Sequence, residues 1–496
     1  MLKNETLSNN KVIFYLGLII LGGIIFRFSF AHFDLQLHGD NMQYFLNALD
    51  RSLGVEENLF PMHNPGWSSF LSFFFWVFKT ENFLELMIIQ KIISITISSL
   101  TVIPIYFLAK NFFPKKFSII AGLIFIFEPR IIQNSTFGLT EPLYIIMITI
   151  AMVLILSSKK NSEIIAFMIL GLSVIVRSEG LFLIPAFVLI YFLKNRISKK
   201  LISKITVSVV LISILIIGIS TINNNSEAGI FTRINSGLKE INDSPETRIA
   251  GNSLNLLGAG IVNLIKFLAW LMIPGWIMFV PIGFILLLKR YTIDTKILIT
   301  IIGLIIAPTI YVFSFSNDVR FLLPLSPLLA VISLYFIYKI SEKINFKLLL
   351  TTICIVVIIT SLIFMYYKDI DYQNEEEMLE LVRDFPHDIK RINYFGIETE
   401  LFKNTSMEKL SFPTSSKIIL DNTVESISFS GIIDLESYLQ VAKEKNLSHL
   451  IIRDSNDYSF LDEIYFNEDK FDFLKKVYDS SQNGFNIHVK IFKIVD

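Results

Sequence analysis

The residues of this sequence best suited to chemistry stand where long apolar runs begin or end. Asp40 follows the first run, in His38-Gly39-Asp40-Asn41-Met42-Gln43-Tyr44, where Gly39 permits a tight turn. Glu141 opens another, in Thr140-Glu141-Pro142-Leu143-Tyr144. Arg130 closes a run at Glu128-Pro129-Arg130, Arg177 lies in Arg177-Ser178-Glu179-Gly180, and Arg320 leads Val319-Arg320-Phe321-Leu322 into a late run. His63 and Asn64 flank a rigid turn, Pro61-Met62-His63-Asn64-Pro65-Gly66. Each has an ordinary structural use. Asp40 can cap a helix, Glu141 suits a first turn, Arg177 can pair with Glu179, and Arg320 can reach lipid phosphates generally. Together they supply something more specific. A carboxylate can act as general base, and guanidinium groups can clamp a phosphate with two parallel hydrogen bonds. Ionisable groups at the mouths of apolar spans mark functional sites. Carboxylates and arginines converging on a cavity open to lipid would suit chemistry on a lipid phosphate.

The elements that position these residues are membrane helices. Of the 496 residues 53% are hydrophobic and only 18% charged, with a mean hydropathy of +0.58. A soluble domain is about a quarter charged, so this chain needs a low-dielectric solvent. A span takes about 20 apolar residues. The pattern predicts about eleven spans, near 12–32, 83–109, 117–129, 140–157, 162–177, 180–193, 203–222, 266–288, 297–315, 320–340 and 347–367. The run Val12 to Ala31 reads as a retained first helix. Lysine and arginine cluster at 110–116, 159–160, 194–204, 289–290 and 339–347. All fall on one side if Pro65 to Phe78, too short for an ordinary span, lies in the outer interface. The N-terminus is then cytoplasmic and the chain ends outside, with the plasma membrane the expected location.

Three outer segments follow: 33–82, 223–265 and the tail. In the first, Met42, Phe45, Leu46 and Leu49 recur at helical spacing, predicting an amphipathic helix lying on the membrane. The composition changes at Lys368-Asp369, dividing the chain into a transmembrane domain, 1–368, and a soluble extracytoplasmic domain, 369–496. Lys417 to Leu420, His449 to Ile452 and Asn486 to Ile494 read as strands, and Leu435 to Lys445 and Phe471 to Val477 as helices. That alternation predicts a small α/β domain. The fold class is thus a polytopic α-helical membrane protein with a C-terminal α/β domain. Net charge is zero, so no global field draws nucleic acid. One cysteine, Cys354, excludes an internal disulfide, and no zinc spacing or phosphate loop is present. Sequon-like triplets at Asn404 and Asn446 face outward in this topology.

The chain resembles the GT-C superfamily of polyprenyl-phosphate-sugar-dependent glycosyltransferases, and within it the branch of protein O-mannosyltransferases and aminoarabinose transferases. Four motifs carry the resemblance: Gly39-Asp40 with Tyr44 and Ala48 behind it, His63-Asn64-Pro65-Gly66, Thr140-Glu141, and Arg320-Phe321 with Pro324 and Pro327. It covers roughly residues 12–340. The resemblance implies a sugar donor linked through phosphate to a long isoprenoid in the outer leaflet. It implies Asp40 as catalytic base and Glu141 as the second acidic residue, which orients acceptor or donor, or binds a metal where one is used. Arg320, with Arg177 or Arg130, would neutralise the phosphate, and His63, Asn64 and Tyr44 would line the substrate site. Many relatives carry two adjacent acids in the first loop, where this chain has Asp40-Asn41. Some branches use a divalent metal and others none. A protein, a glycolipid or a polysaccharide would be the acceptor. A lipid-linked-sugar transporter or a scaffold are the rival readings. A transporter would need no base in the first loop, and alternating access favours internal repeats, which the sequence does not show.

Overall fold

The structure is a computed structural model that describes residues 7–35, 37, 40–54, 64–80, 83–194, 253–289, 292–313, 318–384, 409–411, 416–420, 423–427, 434–437, 440, 447–454 and 459–495. The span expected at 203–222, the ring of His63, the turn His38-Gly39 and both sequon-like asparagines lie outside the described residues. The chain divides into two compact units. The first holds Met1–Ala31, Pro61–Leu71 and Gln90–Tyr366; the second holds His32–Phe60, Ser72–Ile89 and Tyr367–Asp496. Most of the first outer segment therefore clusters with the tail.

The described helices are α1 (Asn9–Phe28), α2 (Asp40–Leu53), α3 (Gly66–Phe78), α4 (Phe83–Leu100), α5 (Val102–Lys110), α6 (Lys115–Ile126), α7 (Pro129–Thr136), α8 (Glu141–Leu156), α9 (Ser162–Val176), α10 (Leu183–Lys194), α11 (Ser253–Met272), α12 (Val280–Leu288), α13 (Ile293–Val312), α14 (Ser326–Ile340), α15 (Phe346–Arg383) and α16 (Ser459–Phe466). Among the described residues four helical stretches are long and apolar enough to cross a membrane: Asn9–Phe28, Phe83–Lys110, Val319–Ile340 and Phe346–Ile370. A fifth is added if α6 and α7, bent by 54°, count as one broken span. Shorter apolar helices, α8, α9 and α10 among them, fill out the bundle. The chain is an integral membrane protein, because nothing but lipid would solvate so many apolar outer faces.

The first unit is tightly packed where glycine lets helices approach. A Cβ on Gly283 of α12 would stand 2.3 Å from the Ile332 carbonyl oxygen of α14. The buried cation Arg27 has no carboxylate partner among the described residues. Arg27 of α1 is fully buried and donates to Ser135 Oγ at 3.1 Å, the Gly23 carbonyl at 3.2 Å and Ser98 Oγ at 3.5 Å. Three neutral acceptors thus meet a cation inside the bundle, as burial requires.

Two expectations fail in the helical part. Residues 253–265 were expected in an outer loop but form the first half of α11. Leucines and small residues continue the helical run there, and the break comes later, at Pro274-Gly275. The amphipathic α2 is present, but its apolar face meets protein. Phe45 is fully buried, 5.4 Å from the Phe75 ring of α3 and 6.2 Å from the Phe83 ring of α4. Even Asn47 and Asp50 are buried.

The second unit includes the last part of α15, from Tyr367 to Arg383. The tail carries a four-stranded sheet in the order β1-β4-β6-β5, from β1 (Lys409–Ser411), β4 (Leu447–Arg453), β5 (Leu474–Asp479) and β6 (Val489–Ile494). A separate hairpin pairs β2 (Ser416–Leu420) with β3 (Thr423–Ile427). β1 is parallel to β4; the other pairs are antiparallel. The helix expected at Phe471–Val477 is instead strand β5. Pairing with β6 buries Leu474 and Tyr478 and overrides local preference. Of the helix expected at 435–445, a single turn at 435–437 falls largely within the described residues. The end of α15 holds the sheet: Asp384 accepts from Tyr478 Oη at 2.8 Å, and Glu377 accepts from the Ile487 amide at 3.1 Å.

Gly283→Ala should lower stability by about 1–3 kcal/mol through overpacking against Ile332. Gly303→Ala, where nothing stands within 4 Å of the new Cβ, should leave it unchanged. Thermal unfolding of the detergent-solubilised protein measures both.

Candidate active site

The first unit contains one polar constellation built on the start of α8. α7 ends at Thr136, and the chain turns through Gly138, whose φ of +72° is a left-handed conformation suited to glycine. The turn is held from outside: the Gly138 carbonyl accepts from Gln90 Nε2 at 2.9 Å and from Trp67 Nε1 at 3.2 Å. Thr140 then precedes α8, with Glu141 and Pro142 in its first turn. Glu141 is completely buried. One carboxylate oxygen accepts from Asn134 Nδ2 at 3.2 Å, and the other is bonded to Arg177 Nη1.

Arg177 arrives from the end of α9, which lies hard against the start of α3. A Cβ on Gly66 would stand 2.8 Å from the Val176 backbone. The Asn64-Pro65-Gly66 turn and the position of Arg177 are therefore mechanically linked. Arg177 also binds Glu179, Nη2 to Oε1 at 3.1 Å, and its guanidinium lies over the Phe321 ring at 5.3 Å. One cation thus bridges two carboxylates and rests on an aromatic face, an arrangement that suits arginine's planar fork better than lysine's ammonium. An apolar cavity adjoins it, lined by Tyr144, Glu179, Phe182, Thr309, Phe321 and Pro324 among others.

Of the expected site residues, Glu141 and Arg177 meet directly. Arg320 begins a 3-10 turn, Val319–Leu325, that also carries Phe321. Its backbone amide donates to Asp318 Oδ1 at 2.9 Å, and its side chain pairs with the same carboxylate. Asn64 is buried, and its Oδ1 has no hydrogen-bond partner among the described residues. Arg130 faces elsewhere. Its Nε donates to the carbonyls of Trp270 at 2.8 Å and Ile273 at 3.1 Å, at the end of α11, and its guanidinium lies near the rings of Trp270 and Phe364. A cation at a helix C-terminus is favourable in itself. Asp40 and Tyr44 belong to α2 in the second unit, Asp40 exposed as the first residue of the helix and Tyr44 partly buried.

Sequence reasoning missed Asn134, whose place seven residues before Glu141 gives no periodic signal. It also missed Arg27, although an arginine in the last turn of an apolar span was a readable mark. Among the described residues no group of three His, Cys, Asp or Glu is placed to hold a metal ion.

Comparison with known proteins matches this architecture. The family model described as dolichyl-phosphate-mannose-protein mannosyltransferase matches residues 62–222, a segment that contains Asn64, Arg130, Glu141 and Arg177. A crystal structure of the Archaeoglobus fulgidus oligosaccharyltransferase, in complex with Zn and sulfate, superposes with a TM-score of 0.50 at 15% identity. The match covers 70% of this chain and 52% of that one, so the chain spans about half the length of that relative. The apo form of the same enzyme matches with a TM-score of 0.50 at 12% identity, over 90% of this chain and 70% of that one. No curated protein matches significantly. The chain thus shares the fold of that archaeal oligosaccharyltransferase, in keeping with the GT-C resemblance. Its segment 62–222 is similar to the mannosyltransferase family of that superfamily.

Removing Arg177 would strand the buried Glu141 carboxylate. Arg177→Ala should cost about 3–5 kcal/mol, and the double variant Arg177→Ala/Glu141→Ala should lose clearly less than the sum of the singles. A denaturant-unfolding double-mutant cycle checks this.

Proposed function

We propose that this protein is a membrane glycosyltransferase that moves a sugar from a polyprenyl-phosphate donor to an acceptor hydroxyl at the outer face, inverting the anomeric centre. The observation that carries the reading is the buried Glu141–Arg177–Glu179 constellation inside the segment similar to the mannosyltransferase family. The apolar cavity beside the cluster suits an isoprenoid tail, and the Arg177 guanidinium is the group there that would meet an anionic head, in competition with its two carboxylates.

The chemistry follows from the groups present. The acceptor oxygen attacks the anomeric carbon as the carbon–oxygen bond to the donor phosphate breaks. Asp40 takes the proton of the acceptor hydroxyl. The lipid phosphate leaves with the bonding electron pair, and Arg177 and Arg320 stabilise its growing charge. Both arginines are held by carboxylates, so the donor phosphate competes for guanidinium groups already aimed and ordered. Glu141, fixed by Asn134 and Arg177, orients the cluster. Asn64 Oδ1, buried and without a hydrogen-bond partner among the described residues, would accept from a sugar hydroxyl, and Tyr44 and His63 are proposed to contact the substrate as well. Arg130 keeps a supporting place through its hold on α11. No step is routed through a metal. The N-terminus is cytoplasmic, residues 369–496 form an extracytoplasmic domain of a cell-membrane protein with about eleven spans, and the acceptor is a protein, glycolipid or polysaccharide hydroxyl.

Purified protein given a panel of labelled polyprenyl-phosphate sugars should release one sugar to acceptor, and Asp40→Asn should lose that turnover by about two orders of magnitude or more. Turnover unaffected by Asp40→Asn would move the base elsewhere. No turnover with any donor, beside an active control transferase, would favour a lipid-linked-sugar transporter.

A further inference from the structure

Between α1 and α2 the chain passes through His32 with a φ of +39°. A side chain with a branched ring rarely adopts that region, and it persists only where the surroundings fix it. Three contacts do so, all within the second unit. The imidazole stacks on the Tyr372 ring, centroids 4.1 Å apart and planes 14° from parallel. Nε2 lies 2.9 Å from Asp369 Oδ1, and Nδ1 lies 3.6 Å from Glu376 Oε1.

The three partners come from one stripe of α15. Asp369, Tyr372 and Glu376 are spaced by three and four residues, which places them one above another on a helix. Tyr372 is buried, and the side chain of His32 is only 18% exposed. No part of the proposed reaction uses this cluster, and a loop that needed only to turn would not require it.

Its position gives it a use. His32 stands eight residues before Asp40, and between them Leu35 and Leu37 are buried. These are two buried anchor points a few residues before α2. α2 itself is held through Phe45 by Phe75 and Phe83. Asp40, the first residue of α2, thus follows the His32 contacts by only eight residues.

We propose that His32 is a positioning residue: by clamping the loop before α2 to the Asp369–Tyr372–Glu376 stripe of α15, it sets where Asp40 is presented. The inference rests on the reading of Asp40 as catalytic base. It also gives the tail a part in the reaction, since the stripe belongs to the segment that carries the sheet.

The test uses the full-length protein in lipid nanodiscs, with wild type, His32→Ala, His32→Gln, Asp369→Ala and the double variant His32→Ala/Asp369→Ala. Hydrogen exchange is followed at residues 40–53, and turnover is measured with the donor identified from the panel. Both single alanine variants should speed exchange in 40–53, and the double should add little to either. Their kcat should fall by about 10²-fold, the scale of a misplacement near 1 Å, with KM for the donor unchanged. His32→Gln keeps a donor for Asp369 and should recover much of the kcat. A general loss of structure would instead raise exchange in α8 and α9 and move KM as well, overturning the specific role. Unchanged exchange in 40–53 would refute the latch whatever the enzymology shows. Faster exchange with undiminished kcat would refute positioning while leaving the transferase reading intact. A wild type without turnover would overturn that reading and the positioning role with it, and the exchange data would then report on the latch alone.

Discussion

The contact on which the candidate site depends is the ion pair between Glu141 and Arg177. A carboxylate with no solvent exposure inside an apolar bundle is tolerable only if its charge and both oxygens are met. Arg177 meets the charge, Asn134 the second oxygen, and Glu179 and Phe321 hold the arginine in turn. Everything around the pair serves to keep these groups in register. Trp67 and Gln90 pin the Gly138 turn that sets the start of α8, and the close approach at Gly66 sets the end of α9. A buried charge pair is a poor way to gain stability and a good way to specify one arrangement.

Much of this was legible in the sequence, and the limits are physical. Helix ends were readable because Thr140-Glu141-Pro142 and the proline–glycine turn at 65–66 are local signals. Which charges would meet was not, since Glu141 and Arg177 come together through the α8–α9 hairpin and not through spacing. Arg130 shows the same limit: its sequence setting equals that of Arg177, yet backbone carbonyls of α11 claim it. The tail was harder. Phe471 to Val477 has mixed propensity, and only its partner β6 makes a strand of it. The helix at 253–265 was obscured by asparagines and serines upstream, which read as loop. His32 gave no sequence signal at all, because its partners lie 337 residues and more away.

The grouping of the first outer segment with the tail changes how the chain should be divided. A boundary at 368 follows composition, which reports only whether a residue wants lipid or water. Contacts report a different partition, in which 32–60 and 72–89 belong with the C-terminal residues. α2 illustrates the reason. Its apolar stripe can be buried equally well by acyl chains or by Phe75 and Phe83, and amphipathicity alone does not distinguish the two.

The outermost strand of the tail sheet has a consequence for life in a crowded bilayer. Domains tethered to a membrane meet in two dimensions, where collisions between like surfaces are frequent, and an open strand edge is a template for pairing with a neighbour. β5 is such an edge, and it displays Lys475 and Lys476 toward solvent, with a register shift between Lys476 and Tyr478. Lys476 is itself paired with Glu468 and Asp479, and among the described residues this charged, irregular edge is of the kind that opposes docking of a second strand.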